Sequence, residues 1–207
     1  MSTSIAEINL KKEIKVMKRR VQHHKVNPCI GRSKRSKWLK AMQHDIDHLF
    51  IQYGQKQHTK NITEYNLLAL SEGGDHFQDM TIIVDAKKQR IKTEDSYFML
   101  SDHFLIRVMH SVNCKSIRDE KVLNLLDVIL TQLYQYLKDE VVGWTRDYEE
   151  NCERYNVTLP TTEGVVVMNV DQSTGYNSIV VKTFIHKNVI ISGKNLHLML
   201  KAGYMKR

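Results

Sequence analysis

Two β-branched runs near the end of the chain set the architecture: Gly164-Val-Val-Val-Met-Asn-Val170 and Ser178-Ile-Val-Val-Lys-Thr-Phe-Ile-His186. Only the turn-forming segment 171–177, which carries Gly175, separates them. Runs of this kind joined by a short turn are neighbours in an antiparallel sheet. Asn188-Val-Ile-Ile-Ser192 is a candidate third strand. Everything upstream must supply the layer that covers this sheet.

Most of that layer reads as helix. Residues 4–26 open with the capping-box spacing Ser4-x-x-Glu7 and place Ile5, Ile8, Leu10, Ile14, Met17 and Val21 along one stripe. Pro28 and Gly31 break the pattern, and residues 36–53 resume it with Trp38, Leu39, Met42, Ile46, Leu49 and Phe50. Trp38 is expected in the core. Residues 54–76 are polar apart from an apolar island, Tyr65 to Leu70, and Ser71 to Asp75 reads as a turn. Met80 to Asp85 predicts a strand, 86–90 a turn, and Ile91 the start of another strand. Ser116-x-x-Asp119 starts a further helical pattern that runs to about Tyr155, and Leu159-Pro160 ends it. The expected fold is α+β: a basic N-terminal helical hairpin (1–60), then an α+β domain (61–207) with central helices and a C-terminal antiparallel sheet.

Charge divides the chain in the same way. Of 31 Lys+Arg and 23 Asp+Glu, about 14 and about 4 fall in residues 1–60. The remainder is left with 17 against 19, so the whole positive excess is N-terminal. Such asymmetry points to a localised contact with a polyanion or an acidic surface. Lys18, Arg19, Arg20, Arg32, Lys34, Arg35 and Lys37 are the candidate nucleic-acid-binding residues. The bland competitor is a solvated helical face, neutralised in cis by the acidic stretch Glu140 to Glu153.

Other classes of function find no support in the sequence. The three cysteines, Cys29, Cys114 and Cys152, make neither a disulfide framework nor a zinc signature. The ten histidines are scattered, and His23-His24 lack ligand partners nearby, so no metal and no cofactor is expected. No apolar run approaches about 18 residues, and the N-terminus lacks an apolar signal core. A cytoplasmic protein with no membrane contact is the expectation.

One stretch carries chemistry. In Tyr97 to Ser111, Ser101 or Asp102 can cap a short helix that sets His103 and Arg107 four residues apart on one face. A titratable imidazole stacked over a permanent cation suits a phosphodiester: one moves a proton, the other holds the oxygens. On the late strand, alternation puts Ser178, Val180, Lys182, Phe184 and His186 on one face and Val181, Thr183 and Ile185 on the other. Lys182 or Thr183 could therefore line a cleft under the His/Arg helix.

The segment Leu100-Ser-Asp-His103-Phe-Leu-Ile-Arg107, with Ile179-Val-Val-Lys182-Thr183 far downstream, resembles the superfamily of small metal-independent ribonucleases and toxins grouped as barnase, EndoU, colicin nucleases and RelE. The resemblance implies RNA cleavage by attack of the 2′-hydroxyl on the adjacent phosphate. It implies His103 as general base or acid, Arg107 as the group stabilising the phosphorane, Lys182 or Thr183 as phosphate contacts, and His186 or His110 as second proton carrier. Members often carry a second Arg four residues beyond the first, where this chain has Ser111. Two readings follow. One is an RNA-interacting, endoribonuclease-like or toxin-like protein of mobile-element or phage type. The other is a non-catalytic regulator that binds nucleic acid or an acidic host protein through its basic N-terminal helices.

Overall fold

The computed structural model describes residues 4–24, 34–94, 98–138, 145–146, 154–171 and 178–189. Four helices, α1 (Ile5–His23), α2 (Arg35–Leu49), α3 (Asp102–Ser111) and α4 (Glu120–Lys138), pack on one nine-stranded sheet. The strands are β1 (Ile51–Thr59), β2 (Ile62–Leu70), β3 (Phe77–Asp85), β4 (Arg90–Glu94), β5 (Phe98–Leu100), β6 (Thr145–Arg146), β7 (Arg154–Thr161), β8 (Gly164–Asp171) and β9 (Ser178–His186). Their order is β1-β2-β3-β5-β9-β8-β7-β6, with β4 pairing Thr81–Asp85 of β3 on the edge whose other end holds β5. Every pairing is antiparallel except β5 with β9, where Phe98, Leu100 and their neighbours run parallel to Ile179–Val181. The protein is thus α+β. Two antiparallel meanders are fused through one short parallel contact, and the C-terminal strands are half of a continuous sheet.

Adjacent residues in a strand face opposite sides, and the two sides have separate cores. Leu68, Phe77, Phe98, Leu100, Val181 and Phe184 pack with α1, α3 and α4. Tyr65, Leu67, Ile82 and Val84 pack on the other side with Trp38, Met42 and Ile46 of α2. The two N-terminal helices therefore commit their apolar faces to opposite sides of the sheet, not to each other. The buried line of α1 is Ala6, Leu10, Ile14 and Met17, spaced by four, four and three. Ile5, Ile8 and Val21, which the apolar pattern included, lie off that line and are exposed. Trp38 is in the core at 1% exposure.

One buried charge holds the junction between the meanders. The Asp79 carboxylate is fully buried and accepts the Phe98 N–H at 3.0 Å and the Tyr134 hydroxyl. It thereby ties β3, β5 and α4 at one point. Burial of a carboxylate is tolerated when donors satisfy it.

Three expectations differ from the structure. The polar stretch 54–76 holds most of a hairpin, β1–β2. The outer half of β1 is exposed, because an edge strand there needs no apolar alternation. The helical pattern expected to reach Tyr155 is described as helix over Glu120–Lys138, whereas Thr145–Arg146 is strand and Tyr155 lies in β7 with Pro160 inside the same strand. Pro is tolerated there because β6 pairs with β7 only at Val157 and Thr158, leaving the outer side at Pro160 unpaired among the described residues. Finally, β9 carries a bulge. Val167 and Met168, consecutive on β8, face Thr183 and Val181, so Lys182 is the extra residue. The bulge reverses the alternation: Phe184 joins Val181 in the core, on the face opposite to the one its spacing predicts. The candidate strand at 188–192 falls partly on a turn at 187–189 and partly outside the described residues, as does the acidic stretch Glu140 to Glu153 apart from backbone at 145–146.

Candidate nucleic-acid interface

Helices carry partial positive charge at the N-terminus, so acids belong in the first turn and cations in the last. α1 obeys, with Ser4 accepting the Glu7 N–H at 3.2 Å and Arg20 and His23 in the last turn. α3 obeys, with Ser101 as cap, Asp102 in the first turn and His110 in the last. α4 begins with Glu120. α2 does the opposite. Its N-cap is Lys34, with no capping side-chain bond and no acid in the first turn. Arg35 and Lys37 follow at the first and third helical positions. Each misplaced cation costs a few tenths to about 1 kcal/mol of helix stability.

Two β-turns bring further cations to the same place. Arg35 donates to the side-chain carbonyl of Asn61 at 2.7 Å, and the Ala86 N–H donates to the Asn61 main-chain carbonyl at 2.7 Å. Asn61 therefore ties the start of α2, the β1–β2 turn and the β3–β4 turn together. Between them lies a cleft of about 340 Å³, lined by Arg35, Lys40, Lys60 and Tyr65 among others. Lys40 and Lys60 are exposed in its lining, and Lys34, Lys37, Lys87 and Lys88 are exposed on the flanking segments. The nearest acid, Asp85, is already engaged: it accepts the N–H groups of Lys87 and Lys88 at 3.0 and 2.9 Å, and these bonds hold its carboxyl below the usual range. Asp47 lies one turn beyond the cleft and accepts from Gln43, one of the cleft's lining residues, at 2.8 Å.

The candidate residues on α1 are placed elsewhere. Lys18 pairs with Asp75 at 2.6 Å, and Arg20 reaches the His48 carbonyl at 3.5 Å near the far end of α2. Arg19 is exposed. Arg32 lies outside the described residues. The structure thus brings Arg35, Lys40 and Lys60 to one cleft, leaves Lys34, Lys37, Lys87 and Lys88 exposed on the segments beside it, and holds Lys18 and Arg20 in structural pairs. Sequence reasoning missed Lys60, Lys87 and Lys88, which sit on turns far along the chain from α2.

The second candidate site is where α3 meets β9. The Ser101 N–H donates to the Val181 carbonyl at 3.0 Å. Its hydroxyl accepts the Phe104 N–H at 3.1 Å and donates to the Lys182 carbonyl at 2.9 Å. One serine therefore caps α3 and anchors it to the β9 bulge. A turn later, Arg107 Nε donates to the Phe184 carbonyl at 3.4 Å. This brings Arg107 to the stretch of β9 that bears Lys182 and Thr183. His103 and His110 are exposed on α3, Lys182 is exposed, and Thr183 is half-buried. His186 is engaged at the end of β9: its Nδ1 accepts the Asn188 N–H at 3.2 Å, its Nε2 stands 3.9 Å from Glu163, and its ring meets Phe184 edge-on.

A third polar feature lies under α4. Gly54 leaves room for Asp127, whose Oδ1 would stand 2.3 Å from a Cβ at that position. Burial pushes the Asp127 carboxyl up, and a hydrogen bond from Asn66 opposes the shift in part. A carboxyl raised by folding gives its stability below its unfolded pKa and loses it as pH climbs through the folded value. Asp127→Asn keeps an acceptor for Asn66 and removes the desolvated charge. The variant is expected to be more stable than wild type at pH 7, with the difference closing as pH falls towards 4. Urea midpoints at the two pH values test this, and a midpoint lowered at pH 7 contradicts it.

Among the described residues no group of three or more His, Cys, Asp or Glu is placed to hold a metal ion, and no helix is long and apolar enough to cross a membrane. Cys114 is half-buried, its thiol facing the Val112 carbonyl at 3.4 Å, and burial raises its pKa. No family model, no curated protein and no solved structure matches the chain.

Proposed function

We propose that this protein binds nucleic acid, RNA foremost, through the cationic cleft between α2 and the turns at Asn61 and Ala86. The observation that carries the reading is the start of α2. There, cations occupy the positive end of a helix dipole, and two tethered turns add three more lysines. Such a concentration of positive charge, of which Lys88 is paired with Asp85 at 3.8 Å, is costly for the folded chain alone and favourable against phosphates. The test is anisotropy of a labelled mixed-sequence RNA over a salt series. With about six phosphate contacts, affinity should fall roughly 10³-fold between 50 and 200 mM salt. Absence of RNA binding, or binding indifferent to salt, contradicts the reading and returns the surface to the alternative of an acidic protein partner.

A second reading, RNA cleavage, is favoured by the docking of α3 on β9. Arg107 keeps its Nη groups beyond the Nε bond to the main chain, and His103 is open to solvent on the same helix face. His103 would move the proton of the 2′-hydroxyl or of the leaving oxygen, and Arg107 with Lys182 would hold the phosphate, since Thr183, paired with Val167 beside the core residue Phe184, faces the other side of the sheet from α3. His103→Ala and Arg107→Ala should then each abolish cleavage while leaving affinity for RNA at the cationic cleft within about twofold. Equal cleavage by wild type and both variants refutes this activity.

A further inference from the structure

We infer that the cleft between α2 and the turns at Asn61 and Ala86 is a pocket for one nucleotide ending in a phosphate monoester, its base over the apolar lining and its phosphate on Arg35, Lys40 and Lys60. The inference rests on the nucleic-acid reading above and names the unit that is bound.

Size sets the first limit. The cleft holds about 340 Å³. Clefts that take small molecules run from roughly 300 to 1,000 Å³, so this one has room for a single nucleotide and not for a run of them.

The lining has two chemistries. Met42, Val84 and Ala86 are buried, and Leu39 is half-buried. Met42 and Val84 belong to the core under α2, and Leu39 packs against it, so the cleft opens onto the edge of that core. Arg35, Lys40 and Lys60 are the exposed members of the same lining. Among the described residues no carboxylate lines the cleft. Bare phosphate would leave the apolar wall facing water, and a neutral ligand would leave three cations without a counter-charge. An apolar body joined to an anion answers both, and a nucleotide is such a molecule.

Two amides in the lining suit a base edge. Asn61 Oδ1 is taken by Arg35 at 2.7 Å, which leaves the amide N–H groups to donate. Gln43 Nε2 donates to Asp47 at 2.8 Å, which leaves the side-chain carbonyl to accept. An unpaired base presents both acceptors and donors along its edge, so each amide has something to meet.

Charge favours the end of a strand over its interior. An internal phosphodiester carries one negative charge, whereas a terminal monoester carries about −1.5 to −2 at pH 7. Three cations around one small cleft are better balanced by the second. The bond from Arg35 to Asn61 leaves the other guanidinium N–H groups for phosphate oxygens.

The experiment measures anisotropy for one short unstructured RNA with hydroxyl ends, with a 5′-phosphate, with a 3′-phosphate, and with the terminal base removed from the tighter phosphorylated form. Wild type should bind one phosphorylated form about tenfold more tightly than the hydroxyl form, the worth of one charge-assisted contact. Removing the terminal base should weaken that form several-fold. Lys60→Gln, at an exposed turn position, should narrow the preference for phosphate to about twofold. Competition by adenosine monophosphate separates the two sources of this chemistry: displacement of the RNA assigns the cleft to a free nucleotide, and no displacement assigns it to the strand end. Hydroxyl-ended RNA bound as tightly as both phosphorylated forms, a terminal base whose removal changes nothing, or a preference that survives Lys60→Gln overturns the inference while leaving the nucleic-acid reading intact. Failure to bind any of the RNAs removes both.

Discussion

Gly164→Ala should lower the melting temperature by roughly 6–12 °C, the equivalent of about 3 kcal/mol in a chain of this size. Gly164 opens β8 at φ +156, where side chains are rarely accommodated, and a Cβ there would stand 2.1 Å from the Ile185 carbonyl. That oxygen belongs to the main chain, so no rotamer change relieves the contact. The site is also enclosed. The Thr161 hydroxyl accepts the Gly164 N–H at 3.1 Å and donates to the Gly164 carbonyl at 3.0 Å, closing the β7–β8 turn. Relief would require β8 and β9 to separate at Gly164–His186, the first pair of their ladder. β9 carries the carbonyls that Ser101 and Arg107 use, so the damage should spread to the seat of α3. A melting temperature within about 2 °C of wild type would show that the strand pair yields more easily than its geometry indicates.

The second large effect moves stability and binding in opposite directions. The triple variant Lys34→Asp, Lys37→Glu, Lys40→Glu should bind RNA about 100-fold more weakly or worse, taking roughly 1 kcal/mol per lost phosphate contact. The same variant should melt higher than wild type. Asp at position 34 supplies the N-cap that α2 lacks, worth about 1 kcal/mol. Glu at position 37 completes a capping-box spacing and sits well with the helix dipole, adding a few tenths to about 1 kcal/mol. Gain of stability with loss of binding is the pattern of a surface kept for function at a cost to the fold. A variant that melts lower, or that binds RNA as wild type does, would contradict the assignment of this surface.

How much of this was legible in the sequence differs by element. The cap of α3, the strand β8 and the extent of β9 follow from local signals: a serine before an apolar helical pattern, and β-branched runs bounded by turns. The β1–β2 hairpin does not, because its outer half lies at a sheet edge where polar residues are as good as apolar ones. The α1 stripe was only half legible. Ile5, Ile8 and Val21 are as apolar as Leu10 and Ile14, and only the line along which α1 meets the sheet separates them. The bulge at Lys182 left no signature, yet it decides which face Phe184 takes. The cationic cleft was legible on one wall only. The lysines of α2 stand out as a cluster, whereas Lys60, Lys87 and Lys88 join them through strand pairing and the two bonds to Asn61. Nor does charge count separate Lys18 and Arg20, which have partners in the fold, from Lys37 and Lys40, for which no partner is described.

Lysine acylation followed by mass spectrometry, with and without saturating RNA, tests the central assignment most directly. Lys34, Lys37, Lys40, Lys60, Lys87 and Lys88 should lose reactivity together, while Lys12 and Lys15 on α1 and Lys121 on α4 keep theirs. Protection of the α1 lysines with the cleft left reactive, or uniform protection of all of them, would contradict it.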